Sequence, residues 1–125
     1  MSSGFANRLW EAARKKHSRV VVGLDPQWES IPAFLKQRAE ELHGRSLDAV
    51  EWAITRFNEE LIEAVASVAV AVKLQVAFYT QFGWRGFRAM EASAAAARKQ
   101  GLLVIIDGKF NDIASSAQGY ANGYL

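Results

Sequence analysis

Apolar residues gather in three short runs along the chain. The runs are "RVVVGL" (Arg19–Leu24), "VAVKLQV" (Val70–Val76) and "LLVIID" (Leu102–Asp107). They are rich in Val, Ile and Leu and do not alternate with polar residues, which is typical of strands that are covered on both faces. The pattern therefore predicts three buried strands of a parallel sheet.

Apolar positions three and four residues apart predict helices around these strands. An opening helix has its apolar face at Phe5, Leu9, Ala12 and Ala13. A longer helix extends from Ser46 to about Ser67, and Ser46 is a favourable N-cap. Its apolar positions recur at Leu47, Val50, Ile54, Phe57, Leu61 and Val65.

Two further helices are predicted after the second apolar run. An Ala-rich segment from about Thr80 to Gln100 ends at Gly101, a residue type that favours the position after a helix. A last helix begins near Ser115 and continues to Leu125.

Strands separated by helices predict βαβ units and a parallel sheet. The first crossover, from Leu24 to Val70, also holds a short helical insertion in "DPQWESIPAFLKQ", and Gly44 is the expected break after it. Three strands make a poor sheet with two open edges. We therefore expect residues 1–125 to be a single incomplete domain, the N-terminal part of a larger fold.

The composition is globular and argues against several classes of protein. Of 125 residues, 50% are hydrophobic and 22% are charged, and acids and bases are interleaved with a net charge of +2. This leaves no basic stripe for nucleic acid. There is no cysteine for a disulfide or a thiolate metal site, and His17 and His43 lack ligand spacing. No apolar run reaches the ~18 residues of a membrane helix, so a cytoplasmic enzyme or binding protein fits best.

Charged residues stand at the ends of all three predicted strands. Asp25 follows the first strand, Lys73 lies within the second, and Asp107 closes the third, with Lys109 and Asp112 just beyond it. Ligands of parallel α/β folds bind beyond the carboxyl ends of the strands. Opposite charges that converge there can compensate one another, as buried charges must. The pattern indicates a functional site at this end of the sheet.

Each of these features also has a purely structural explanation. Asp25 could cap a helix, Lys73 could extend its amine to the surface, and "DGKFND" could be a polar loop with an ion pair. The aromatic residues that follow the second strand fit core packing better than a base-stacking platform; they are Phe78, Tyr79, Phe82, Trp84 and Phe87. The functional interpretation depends on charge recurring at three successive strand ends.

Three motifs together resemble orotidine 5′-phosphate decarboxylases. They are "GLDP", "VKLQVAFYTQFG" and "GLLVIIDGKFNDIASSA", in this order, and the resemblance extends from about Phe5 to Leu125. It is closest to the bacterial subgroup with the longer first crossover. The resemblance implies a (β/α)8 TIM barrel that works as a homodimer. It also implies conversion of orotidine monophosphate to UMP and carbon dioxide, without a metal or organic cofactor.

The resemblance also implies a role for each charged position. Asp25 would bind the ribose hydroxyls, and Lys73 would contact the ribose and hold Asp107. Asp107 would lie beside the substrate carboxylate. Lys109 would donate the proton to the carbon that loses it. Asp112 would reach into the site of the partner subunit and complete an alternating row of lysine and aspartate.

Several positions depart from the family pattern. Ser116 stands where threonine is usual, but its hydroxyl still suits a ribose contact from across the dimer. Gly108, Phe110-Asn111 and Thr80 are also unusual, and the first two bear on the rigidity of the loop. The phosphate-binding loop and arginine of the family belong to the later part of the barrel. We therefore expect this chain alone to be inactive or nearly so.

Two other functions remain open at this point. The D-x-K-x-x-D segment is shared with sugar-phosphate lyases and aldolases of the same superfamily, which would use Mg²⁺ held by carboxylates. Alternatively, the chain could be a non-catalytic remnant or interaction domain whose open sheet edges pair with another chain.

Overall fold

The computed structural model describes residues 4–124. These residues form a parallel three-stranded sheet in the order β1-β2-β3, with helices in both crossovers. Along the chain the elements are α1 (Phe5–Lys16), β1 (Val20–Leu24), a 3-10 turn (Trp28–Ser30), α2 (Ala33–His43), α3 (Leu47–Val65), β2 (Ala69–Gln75), α4 (Val76–Thr80), α5 (Gly83–Lys99), β3 (Leu103–Asp107) and α6 (Ala114–Tyr124). The predicted βαβ order is confirmed, and the predicted end of the last helix at Leu125 lies outside the described residues.

The predicted helix ends have the expected chemistry. Ser46 caps α3, because its hydroxyl oxygen accepts the backbone N–H of Ala49 at 3.3 Å. Gly101 follows α5 with a φ of +73°, a backbone conformation that side chains with a Cβ rarely adopt. Its N–H donates to the carbonyl of Arg98 at 2.9 Å, so the helix stops there. Gly44 breaks the first crossover after α2, as predicted.

The core lies between β2 and the helices α3 and α5. Buried side chains from all three elements form one cluster, which includes Ile54, Val72 and Ala89. Strand β2 is covered on both faces, as predicted. Strand β1 is not, because Val20 and Val21 remain 49% and 43% exposed at one edge of the sheet, and β3 at the other edge is only half-buried. An edge strand has a neighbour on one side only, so a Val-rich run predicts the strand but not its cover.

Four of the five aromatic residues after β2 divide into two groups, and the fifth, Phe78, is half-buried. Tyr79 is fully buried, and Phe82 and Phe87 pack against the core, which confirms the predicted role for these three. Trp84 is 59% exposed, so the core assignment was wrong for it. The Arg85 guanidinium lies 4.0 Å from the centre of the Trp84 ring and shields one face.

No helix within residues 4–124 combines the length and the apolar character needed to cross a bilayer. The longest, α3, carries charged residues along one side.

Candidate functional site

The charged residues predicted from the three strand ends meet at one end of the sheet. Lys73 Nζ lies 3.9 Å from Asp25 Oδ1 and 3.6 Å from Asp107 Oδ2. Lys109 Nζ lies 3.8 Å from Asp107 Oδ1. The four side chains therefore form a row of alternating sign, Asp25–Lys73–Asp107–Lys109, which is called the charged row below.

The register of the sheet explains why these side chains share one face. Lys73 of β2 is level with Gly23 of β1 and with Ile105 of β3. Residues two apart along a strand point to the same face. Asp25 and Asp107 are therefore the next residues on the face of Lys73, and its long side chain reaches up between them.

Gly23 leaves space for the carboxylate of Asp25. A Cβ at this position would lie 3.2 Å from Asp25 Oδ2, which is tighter than ordinary contacts. The carboxylate thus lies close against β1, where Lys73 faces it.

Gln75 is a site residue that the sequence did not indicate. It stands level with Asp107 in the sheet, and its Nε2 donates to Asp107 Oδ2 at 3.2 Å. Lys73 approaches the same oxygen, while Lys109 approaches the other one. Both oxygens of Asp107 thus face donors or cations, which restricts the orientation of the carboxylate. Gln75 lies inside an apolar run and carries no charge, so only the pairing of β2 with β3 reveals its contact with Asp107.

The charged row is only partly buried. The side chains of Asp25, Lys73 and Asp107 are each about one-third exposed, and Lys109 is 80% exposed. Their separations exceed ordinary hydrogen-bond lengths. The interactions are therefore mainly Coulombic, and the groups remain accessible to a ligand.

Asp112 and Ser116 lie outside the charged row. Asp112 Oδ1 accepts the backbone N–H of Ile113 at 2.8 Å, just before α6 begins. Ser116 is exposed on α6. Within the described part of the chain neither residue contacts the row, and their roles across a dimer stay predictions.

The unusual residues of the loop after β3 fit one another. A Cβ at Gly108 would lie 2.4 Å from Phe110 Cε2, so the Phe110 ring occupies the space that a side chain at position 108 would need. The ring also stacks on Tyr120 of α6, with 4.7 Å between centroids. Gly108 and Phe110 thus form a packed pair that joins the loop to α6.

A second set of polar side chains was also missed. Asn58, Tyr79 and Ser93 are fully buried and hydrogen-bonded to one another. The Tyr79 hydroxyl donates to the carbonyl of Leu24 at 2.8 Å, next to Asp25. These three residues are called the buried network below. A buried polar residue on an apolar helix face was the only available signal, and it does not reveal its partners.

Potential metal ligands do not cluster within the described residues. Between residues 4 and 124, no three His, Cys, Asp or Glu side chains come together in a group that could hold a metal ion. Asp25 and Asp107 are instead bridged by the ammonium of Lys73.

Parallel βα units with a charged site at the carboxyl ends of the strands define a protein of the α/β-barrel class. The chain belongs to the Orotidine 5′-phosphate decarboxylase / HUMPS family, whose model matches residues 18–124. This confirms the family that the three motifs suggested.

The curated relatives carry the same name. The chain is 36% identical over 121 residues to the orotidine 5′-phosphate decarboxylase of Caldicellulosiruptor saccharolyticus, covering 97% of this chain and 40% of the relative. It is 40% identical over 121 residues to that of Rhodopirellula baltica, covering 97% and 39%. The chain thus spans about two-fifths of the length of these relatives.

Solved structures agree on the fold. A crystal structure from Streptomyces avermitilis, assigned to orotidine 5′-phosphate decarboxylase, matches all of this chain and 40% of its own, with a TM-score of 0.75 and 33% identity. The Plasmodium berghei enzyme matches 96% of this chain and 48% of its own at a TM-score of 0.80 and 17% identity, which bears on the fold alone. The chain is therefore about three βα units of a (β/α)8 barrel.

Proposed function

We propose that this protein catalyses the decarboxylation of orotidine 5′-monophosphate to UMP in pyrimidine biosynthesis. The observation that carries the proposal is the charged row at the carboxyl ends of three adjacent strands. Family membership supports it, because the relatives bear the name of this activity. We further infer a cytoplasmic location, which suits an enzyme of nucleotide synthesis.

The charged row suits a reaction that forms a carbanion. The carboxylate of Asp107 would face the carboxylate of the substrate, and their repulsion would relax as carbon dioxide leaves. The ammonium of Lys109 would stabilise the negative charge that develops on the ring carbon and then donate a proton to it. Because these charges are in place before the substrate binds, little reorganisation accompanies the reaction. The proposed chemistry needs no metal or organic cofactor.

Asp25 and Lys73 would bind the ribose of the substrate. Asp25 has acceptor oxygens for the hydroxyl groups, and Lys73 lies between it and Asp107. Lys73 would therefore couple the binding of the sugar to the orientation of Asp107.

The decisive test is turnover of orotidine monophosphate by the gene product as its own cells make it. We expect wild-type activity and a loss of more than about a hundredfold in Lys109→Ala, as for removal of a group that stabilises developing charge. Lys15→Ala is the matched control, because Lys15 is an exposed lysine on α1, away from the charged row. Undiminished turnover in Lys109→Ala would refute the assignment of the proton donor.

A chelator distinguishes the proposal from the magnesium-dependent alternative. We expect EDTA to leave turnover unchanged. Loss of activity with EDTA and recovery with Mg²⁺ would favour a sugar-phosphate lyase or aldolase instead.

We also propose that Asp112 and Ser116 act in the site of a partner subunit. Asp112 is exposed and unattached to the charged row of its own chain, which supports a role across an interface. Mixing inactive Lys109→Ala and Asp112→Ala subunits would then give heterodimers with one intact site. Activity should return to about a quarter of wild type; no recovery would mean that Asp112 serves its own subunit.

We expect the 125-residue chain by itself to show little or no turnover. It spans about two-fifths of its curated relatives, and binding energy from remote parts of a substrate is a large source of catalysis. The intact mass of the protein isolated from its own cells checks this expectation first. A mass of 13.8 kDa would be that of these residues alone, and would turn attention to a partner chain that completes the site.

A further inference from the structure

The buried network joins three helices to the end of one strand. Asn58 of α3 donates from Nδ2 to the Tyr79 hydroxyl of α4 and to the Ser93 hydroxyl of α5, both at 2.9 Å. Ser93 donates to the carbonyl of Ala89 at 2.7 Å. Tyr79 donates to the carbonyl of Leu24 at 2.8 Å. The hydrogen bonds of the network are 2.7 to 2.9 Å long, and the network ends at one backbone carbonyl of β1, that of Leu24.

That carbonyl belongs to the last residue of β1 that pairs with β2 in the sheet. Leu24 is the last residue of β1, and Asp25 follows it. Pro26 comes next and has no N–H to donate, while the Asp25 carbonyl accepts the Gln27 N–H at 2.9 Å in a tight turn. The bond from Tyr79 therefore adds a side-chain contact to the pairing of Leu24 with Leu74, and it acts on the peptide between Leu24 and Asp25.

Filling the core does not require this network. Apolar side chains of the same shape would fill the space without unmet hydrogen-bonding groups. Asn58 Oδ1 is buried and has no partner within the described residues, which lowers stability. The network must then contribute orientation rather than stability, because a hydrogen bond fixes the position of a particular atom and an apolar contact does not.

We propose that Tyr79, held by Asn58 and Ser93, is a positioning residue that sets the location of Asp25 opposite Lys73. The inference rests on the proposed function, in which Asp25 binds the ribose. Rotation of the Leu24–Asp25 peptide would swing the Asp25 carboxylate out of the space that Gly23 leaves for it. Lys73 Nζ already lies 3.9 Å from Asp25, so a displacement of the carboxylate would lengthen this separation and weaken the attraction at the first member of the charged row.

The hydroxyl of Tyr79 keeps its proton under ordinary conditions. Burial, assisted by the negative charge of Asp25, raises the pKa of this hydroxyl above its usual value. The bond to the Leu24 carbonyl should therefore not vary with pH near neutrality.

A double-mutant cycle tests whether Tyr79 acts through Asp25. In the complete gene product, we expect Tyr79→Phe to raise KM for orotidine monophosphate about tenfold and to change kcat less than about threefold. In an Asp25→Ala background, the same substitution should change KM less than about twofold. An equal rise in KM in both backgrounds, or no rise in the wild-type background, would overturn the proposal.

A matched control separates positioning from stability. Ile62→Val shortens a buried side chain near the end of α3, which leads into the amino end of β2, away from the charged row. We expect it to lower thermal stability without changing KM. If Tyr79→Phe does not fold, Ser93→Ala keeps the Tyr79 hydroxyl and should raise KM about threefold, again only when Asp25 is present. An unchanged KM in that variant would count against the network.

Amide hydrogen exchange gives a readout that does not need turnover. In Tyr79→Phe we expect faster exchange in residues 20–27 and unchanged exchange in residues 103–107. If wild-type protein does not decarboxylate orotidine monophosphate, the proposed function fails. The hydrogen-exchange experiment still tests whether Tyr79 restrains the end of β1. Unchanged exchange in residues 20–27 would refute that restraint.

Discussion

The charged row and the buried network lie side by side at the end of β1 but are built differently. In the row, oppositely charged groups stand 3.6 to 3.9 Å apart and remain open to solvent. In the network, neutral groups are fully buried and joined at 2.7 to 2.9 Å. The charged row is therefore held mainly by Coulombic attraction, whereas the buried network is held by short hydrogen bonds.

The difference follows from the cost of burial. An ionised group that leaves water loses several kcal/mol of solvation, which Coulombic attraction restores only with good geometry. Neutral polar groups can be buried fully as long as they are hydrogen-bonded. The chain therefore leaves its charges near water, where a ligand can replace solvent. The neutral network supplies the rigidity that the charged groups lack.

The largest expected effect comes from removing one charge of the row. Asp107→Asn keeps the shape of the side chain but removes its repulsion of a substrate carboxylate and its attraction for Lys73 and Lys109. We expect kcat for orotidine monophosphate to fall about 10²- to 10³-fold, the range for loss of one preorganised electrostatic group. Asp48→Asn, on the first turn of α3, is the control and should leave kcat unchanged. A decrease below tenfold would mean that charge at position 107 matters little.

We expect a smaller effect from adding a Cβ beside Asp25, where the charged row adjoins β1. In Gly23→Ala, the new Cβ would lie 3.2 Å from Asp25 Oδ2 and push the carboxylate away from β1. We expect KM to rise about tenfold with kcat nearly unchanged, because misplacement of a binding group weakens the complex. Gly4→Ala is a matched control, since nothing lies within 4 Å of the added carbon and Gly4 precedes α1, away from the charged row. Equal behaviour of the two variants would show that the position of Asp25 is not critical.

The smallest kinetic effect is expected from removing the hydrogen bond between Gln75 and Asp107. Gln75→Leu removes the donor to Asp107 Oδ2 and leaves the charges in place. A hydrogen bond to a charged group contributes about 1.5 to 3 kcal/mol, but solvent can replace part of this one because Asp107 is partly exposed, so we expect kcat to fall about fivefold. Gln81→Leu, a change of the same kind at an exposed position outside the row, serves as the control. Steady-state kinetics on the two variants would reveal whether Asp107 needs a neutral donor in addition to two lysines.

The network should respond to pH only under alkaline conditions. The folded-state pKa of Tyr79 is raised above the ordinary value near 10, so the neutral form is favoured by folding. This contribution to stability is complete below about pH 10 and is lost as pH rises toward the folded pKa. At pH 10.5 the partial loss of this contribution should lower the free energy of unfolding by about 1 kcal/mol. Urea unfolding of wild type and Tyr79→Phe at pH 8 and pH 10.5 checks this, and an equal pH dependence in both would contradict it.

Much of the fold followed from local patterns. The Val- and Ile-rich runs predicted the strands, and the spacing of apolar residues predicted the helices of both crossovers. Ser46 and Gly101 marked helix ends because their effects act within one turn of the backbone. The exposure of the edge strands β1 and β3 was mispredicted, since cover depends on which elements lie beside a strand.

The sequence by itself determined which residues could carry the chemistry. Charge after three successive strands indicated Asp25, Lys73, Asp107 and Lys109, because parallel strands bring their carboxyl ends together. Only the tertiary structure decided how these groups are held. Gln75 became a partner of Asp107 through the register of two strands, and Tyr79 met Leu24 across 55 residues of sequence. A side chain displays its charge in the sequence, but a hydrogen bond has a direction, and the direction exists only once the chain has folded.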